Sequence, residues 1–160
     1  MEQSPAPCPV SGMLPGEIAE EHRMLPYQGR QVFQWIHRKG ASSFDEMSSL
    51  SRDLRARLSR ETVFPATRVS KIQGSQASGT RKALLLLHDN ECIESVLIPD
   101  RNRHTVCVSS QVGCPLKCAF CATGLSGYKR NLNAAEIVEQ VLHMRKAGDV
   151  PETAVCNIVY

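Results

Sequence analysis

Three cysteines fall within one short run, Cys114-Pro-Leu-Lys-Cys118-Ala-Phe-Cys121, and no other feature of the chain narrows its possible folds as much. A loop this tight can place three thiolates around one face of a four-iron cluster and leave the fourth iron without a protein ligand, an arrangement for binding a substrate on iron. The same thiolates can hold structural zinc, with His104 or Cys107 offered as a fourth ligand. Zinc sites usually pair two Cys or His couplets from separated segments, whereas this chain has one compact triplet and no second couplet.

Composition bounds the rest. With 42% hydrophobic and 22% charged residues over 160 positions, the chain has the makeup of a globular protein with a real core. A formal net charge of +3 permits a nucleic-acid partner without requiring one. No apolar stretch approaches a membrane span, and Met1-Glu2-Gln3-Ser4-Pro5 lacks the features of a secretory signal, so a cytoplasmic location and no membrane partner are expected. Seven cysteines in such a chain, four of them between Cys107 and Cys121, favour reduced thiols serving a metal over a disulfide framework.

Hydrophobic periodicity divides the chain into four stretches. Residues 1–13, with Pro5, Pro7 and Pro9 around Cys8, read as a flexible lead-in. Residues 14–63 read as a small helical domain: Val32, Trp35 and Ile36 recur at helical spacing in Gln28 to Arg38, ended by Gly40, and Ser51 caps a helix with Leu54 and Leu58 on one face. Arg52, Arg55, Arg57 and Arg60 on that helix are either a solvated basic face or an RNA-contacting one. Residues 64–99 read as an antiparallel β segment, with strands at Arg68 to Ile72, Thr80 to His88 and Cys92 to Ile98 and turns at Ser75 to Gly79 and Asp89-Asn90.

Residues 100–160 complete the pattern. A strand at Thr105 to Ser110 feeds the cysteine loop, and a helix opens on Asn133 with Glu136 three residues on. Ile137, Val138, Val141 and Leu142 give that helix an apolar face, Gly148 stops it, and Ala154 to Tyr160 form a second strand. Strand, loop, helix, strand is one βαβ unit, the repeat of parallel sheets and α/β barrels, with the cysteine loop at the carboxyl end of its strand. The fold class is therefore α/β. One such unit cannot close a barrel, so the sequence reads as the front part of a longer protein, incomplete and inactive by itself.

The triplet with Phe120 before its last cysteine, the upstream word Cys107-Val-Ser-Ser-Gln-Val-Gly-Cys114 and the downstream word Ala122-Thr-Gly-Leu-Ser-Gly-Tyr-Lys-Arg-Asn-Leu132 together resemble the radical S-adenosylmethionine (radical SAM) adenine methyltransferases of ribosomal and transfer RNA, the RlmN/Cfr family. The resemblance implies an incomplete radical SAM (β/α) barrel and a [4Fe-4S] cluster on Cys114, Cys118 and Cys121. It further implies S-adenosylmethionine on the open iron with Phe120 beside the cofactor adenine, 23S rRNA and tRNA as substrates, and an electron donor such as a flavodoxin-type reductant. It makes Cys107 a resolving thiol that breaks a protein–RNA adduct and forms a disulfide with a methyl-carrying cysteine near the far end of such enzymes, and makes Glu94, in Cys92-Ile-Glu-Ser-Val-Leu-Ile-Pro99, the general base. Methylation at C2 of adenine is expected, with C8 as the alternative inside the same family and a zinc-stabilised RNA-binding module outside it.

Read from the residues alone, each of these positions has a plainer account. Phe120 suits a packing aromatic, Cys107 a buried small hydrophobe, and Glu94 an exposed strand glutamate, or a carboxylate of raised pKa if buried among its same-face neighbours Cys92, Val96 and Ile98. Tyr128, Lys129 and Arg130 suit either RNA phosphate and base contact or a solvated turn.

Overall fold

A computed structural model describes residues 9–101, 103–151 and 155–160. The chain divides between Ala66 and Thr67 into two compact units.

The described elements of the first unit are helical: a 3-10 turn at Val10–Gly12, α1 (Pro15–Glu21), α2 (Pro26–His37), a second 3-10 turn at Phe44–Glu46, and α3 (Arg52–Glu61). Proline opens α1 and α2, where its missing N–H costs nothing, and in each a side chain reaches back to the N-cap amide: Glu17 to Leu14 N–H at 2.6 Å and Gln28 to Leu25 N–H at 2.9 Å. Ser51 Oγ accepts from Leu54 N–H at 3.3 Å and starts α3. Val10, Ile18, Val32, Ile36, Met47 and Leu58 form the buried centre. Val10 and Met13 lie within that packing, so the unit begins before Leu14; the remainder of the expected lead-in, through Cys8, lies outside the described residues. Trp35 stands on the flank of α2, its indole N–H donating to Ser49 Oγ at 2.8 Å and its ring under Lys39 Nζ.

The second unit is one five-stranded sheet with a helix on it. Its strands are β1 (Thr67–Gly74), β2 (Arg81–Leu87), β3 (Cys92–Asp100), β4 (Arg103–Cys107) and, after the cysteine loop, β7 (Val155–Val159), in the order β1-β2-β3-β4-β7. The loop region holds β5 (Gln111–Val112), α4 (Ala122–Leu125) and β6 (Arg130–Asn131), and α5 (Ala134–Gly148) follows it. Strands β1 to β4 pair antiparallel, and β4 pairs parallel with β7 across the α5 crossover. The stretches read from the sequence as a separate β segment and a separate core thus share one sheet. Among the described residues no helix is long and apolar enough to cross a membrane.

Alternation assigns the two faces. Ala83, Leu85, Leu87, Ile93, Leu97 and Val106 are buried with Met144 of α5 and with Val108 and Val150. The opposite face carries Lys82, Leu84, Glu94, Val96 and Cys107, by the same period of two. The fully buried stripe of α5 differs from the apolar one its sequence suggests: Glu136, Glu139 and Gln140 are at most 1% exposed, while Ile137 and Val141 are only partly buried. These polar side chains are buried because they satisfy backbone groups of neighbouring segments. Glu139 accepts from Thr67 N–H at 2.7 Å and Thr67 Oγ–H at 2.8 Å, and His143 Nε2 lies 2.9 Å from Thr67 Oγ1. Burial holds the His143 pKa below its ordinary value, against the opposing pull of the Glu139 charge.

Candidate active site: the cysteine loop and the open face of the sheet

The cysteine loop is pinched at its base. Strands β5 and β6 pair antiparallel there, Cys114 N–H donates to Gly127 O at 3.2 Å, Lys129 N–H to Val112 O at 2.9 Å, and Leu132 N–H to Ser110 O at 2.9 Å. Gly113 makes this closure possible. Its φ is +74°, and a Cβ built on it would stand 1.6 Å from Gly127 O. Beyond the pinch, Cys121 N–H turns back to Cys118 O at 3.1 Å and Cys121 O accepts the first bond of α4 from Leu125 N–H at 3.0 Å.

Cys114, Cys118 and Cys121 are free, half-buried thiols on this one loop. Among the described residues no three His, Cys, Asp or Glu side chains converge on a common point. His104 and Val106 share a face of β4 by alternation, the side that α5 covers. Three thiols on an accessible loop are the donor set that an iron–sulfur cluster with one iron free of protein ligands requires, so the residues present fit that group. The apolar side chains around them point outward: Phe120 is 93% exposed, Leu116 77% and Leu125 71%. Phe120 is therefore not a packing aromatic within the described chain.

Glu94 on β3 and Cys107 at the end of β4 share the open face, with Cys107 directly opposite Val96. Glu94 is 56% exposed and its Oε1 lies 2.9 Å from Lys82 Nζ, so it is not buried among its same-face neighbours. It lines a cleft of about 530 Å³ together with Cys92, Ser109, Gln111, Thr123 and Ser126. One wall of that cleft is β3 and the other is the second half of the cysteine loop, which brings the candidate base and the loop to one opening. Cys107 is half-buried and does not line the cleft. Cys92, Cys107 and the loop cysteines are all unpaired, so the disulfide expected of Cys107 is not formed among the described residues.

The cations after the loop serve the fold. Arg130 donates through two nitrogens to the two oxygens of Glu136, at 2.8 Å each, and through Nε to Asp89 at 2.7 Å; Lys129 Nζ meets Glu91 Oε1 at 2.6 Å. Glu136 also completes the capping box of α5, accepting from Asn133 N–H at 2.9 Å while Asn133 Oδ1 accepts from Glu136 N–H at 2.9 Å. Burial of Glu136 works to raise its pKa, but the Arg130 hydrogen bonds, the Asn133 amide and the charges of Arg130 and His88 outweigh it and hold the carboxyl below its ordinary value. Arg130 depresses Asp89 in the same way, chiefly by hydrogen bonding. The phosphate-binding role open to Lys129 and Arg130 from their sequence position gives way to a brace between the β2–β3 turn and the start of α5. On α3, Arg55 donates to Asp45 O at 2.5 Å and Arg57 to His22 O at 2.9 Å, so two of its four arginines are also engaged internally.

Sequence reasoning missed this brace and missed Gln140, Ser95 and Ser109, whose hydrogen bonds hold the strands around Glu94 and Cys107. The available signal was the spacing of Glu136, Glu139 and Gln140, three and four residues apart on one helical face.

Residues 18–64 match the family described as Ribosomal RNA large subunit methyltransferase N-terminal domain. The chain is 47% identical over 135 residues to the dual-specificity RNA methyltransferase RlmN of Halorhodospira halophila, a match covering 84% of the chain and 36% of that relative. It is 46% identical over 140 residues to a probable dual-specificity RNA methyltransferase RlmN of Chlorobium phaeobacteroides, covering 84% of the chain and 39% of the relative. The corresponding protein of Bacillus subtilis is 43% identical over 134 residues, 84% of the chain and 37% of the relative. The chain thus spans well under half the length of these curated relatives. Its structure superposes with a TM-score of 0.88 and 34% identity on the crystal structure of a radical SAM methyltransferase from Sphaerobacter thermophilus, covering 95% of the chain and 46% of that structure. The chain therefore carries the N-terminal domain of this family at residues 18–64 and is similar over most of its length to part of the RlmN proteins.

Proposed function

We propose that this chain supplies the cluster-binding part of a radical SAM RNA methyltransferase that methylates C2 of an adenine in 23S rRNA and in tRNA. One observation carries the reading: three free thiols sit on a loop at the carboxyl end of β4, the first strand of a βαβ unit, in a chain 47% identical to an RlmN enzyme. The parallel pair β4 and β7 with its crossover helix is the first unit of an incomplete (β/α) barrel, and a barrel of this kind places its chemistry at the strand ends.

Cys114, Cys118 and Cys121 hold a [4Fe-4S] cluster. When bound, the cluster and S-adenosylmethionine supply one-electron cleavage chemistry and a carbon-centred radical. The protein's own residues do the rest. Phe120, projecting from the loop, offers a flat apolar surface for the cofactor's adenine. Glu94 opens on the cleft beside the loop, where its carboxylate can accept a proton from the substrate or hydrogen-bond an adenine edge, with Lys82 Nζ 2.9 Å from its Oε1. Cys107, on the same face, supplies the thiolate that attacks the sulfur of a second, methyl-carrying cysteine. A disulfide forms as the sulfur–carbon bond to RNA breaks, the released carbon keeps the bonding pair and takes up a proton to become the methyl group, and an external thiol reductant restores both thiols. The reaction is cytoplasmic and draws its electron from a flavodoxin-type donor.

Anaerobic reconstitution with ferrous iron and sulfide tests the metal assignment. A brown product absorbing in the visible, lost when Cys114, Cys118 or Cys121 is replaced by alanine, is expected. Colourless binding of one zinc ion in preference to iron and sulfide would overturn it and favour a zinc-stabilised RNA-binding module. In a full-length enzyme of this family, Cys107→Ala should retain the cluster and leave RNA covalently attached; loss of the cluster would make Cys107 a ligand instead.

A further inference from the structure

The backbones that carry Glu94 and Cys107 are laced to each other by two serines and fixed from behind by one buried amide. Ser95, 1% exposed, donates its hydroxyl to Cys107 O at 2.8 Å. In the opposite direction, Ser109 Oγ–H donates to Glu94 O at 2.9 Å. The serine next to each candidate reactive residue, or two beyond it, therefore holds the other residue's carbonyl.

Gln140 fixes the second of these serines. Its side chain, fully buried on α5, accepts from Ser109 N–H at 2.8 Å through Oε1 and donates to Ser109 O at 2.9 Å through Nε2. The same Nε2 donates to Glu136 O at 3.1 Å, which sets the orientation of the amide. A primary amide that meets both backbone groups of one residue replaces a strand neighbour at the point where β4 leaves the sheet. Val108 N–H still pairs with Val159 O at 2.8 Å, so the chain stays extended through Ser109 and enters the cysteine loop from a fixed position. None of these bonds involves a metal ligand.

We infer that Ser95, Ser109 and Gln140 are positioning residues that hold Glu94 and Cys107 in register on the open face of the sheet and fix the entry to the cysteine loop. The inference rests on the reading of Glu94 and Cys107 as reactive groups. Hydrogen bonds of fixed geometry to the two carbonyls set the Cα–Cβ directions of both residues, and a reactive pair needs that precision.

The test uses the 160-residue chain, free of metal and reduced with a phosphine, treated with iodoacetamide and analysed by peptide mass. Cys92, exposed on the same sheet, is the internal control. Ser95→Ala and Ser109→Ala should each raise the alkylation rate of Cys107 relative to Cys92 about fivefold, the population factor corresponding to one hydrogen bond of ordinary net strength. Gln140→Leu, which frees both backbone groups of Ser109, should raise it further. A ratio within about twofold of the parent in both serine variants, or a parallel rise at Cys92, would overturn the inference, because general loosening moves both thiols alike. The functional reading of Cys107 fails separately: Cys107→Ala in a full-length enzyme would then release RNA normally, whatever the alkylation ratio.

Discussion

Replacing Arg130 with methionine removes the guanidinium that two-fingers the Glu136 carboxylate and leaves that charge in the interior. Glu136 is fully buried and Arg130 is 29% exposed, so water reaches one partner of the pair and not the other. Breaking a buried pair by deleting one member costs roughly 3–5 kcal/mol, and partial access of solvent to the arginine places this case near 3 kcal/mol. The Asn133 amide remains as a partner, and His88 Nδ1 at 3.5 Å remains as a potential cation. The pH dependence gives the sharper test. In the parent the folded-state pKa of Glu136 lies below its unfolded value, so its contribution is fully present above about pH 4.3 and is lost as pH falls through the folded value. In Arg130→Met the burial that Arg130 outweighed is left largely unopposed, the folded pKa rises, and protonation relieves the variant. The gap between parent and variant should therefore be widest near pH 7 and should narrow toward pH 4. Urea unfolding followed by amide exchange in peptides of α5 confines the reading to the second unit. With a slope of about 1 kcal/mol per molar, the midpoint should fall by roughly 2–3 M at pH 7. A gap that stays constant or widens on acidification would refute the argument that Glu136 is held ionised by Arg130.

Other outcomes follow from the same geometry. Gly113→Ala should abolish iron–sulfur reconstitution while leaving amide-exchange protection of α5 intact, because the added methyl meets the Gly127 carbonyl at the base of the loop and not the sheet. Glu139→Leu should destabilise the second unit by about 1–3 kcal/mol in the same urea assay, since Thr67 N–H loses a buried acceptor. Ser51→Ala should lower exchange protection in α3 by about 1 kcal/mol, the usual cost of an N-cap, without altering peptides of the second unit.

Much of this architecture is legible in local pattern. Asn133 with Glu136 announces the start of α5, the unbroken apolar run from Ala83 to Leu87 announces a core strand, and Ser51 announces α3. Such signals survive because capping and apolar runs depend on residues a few positions apart. The brace between Arg130 and Glu136 spans only six residues and was still not read, because its third member, Asp89, comes from a turn 41 positions away. Glu94 shows the limit in the other direction. Its face could be read from alternation, but its exposure and its pairing with Lys82 depend on how β2 and β3 align.

The sequence by itself determined the donor set: three thiols in the one short run from Cys114 to Cys121, with a strand before them and a capped helix after. Tertiary structure alone decided which polar side chains that helix would bury and what they would grip. Glu136, Glu139 and Gln140 look like the solvent side of an amphipathic helix, yet each lies in the interior because a guanidinium or a backbone group from outside that helix meets it there. Hydrophobic period records which residues can avoid water, whereas burial of a charged or amide group depends on partners that only the folded chain brings within reach.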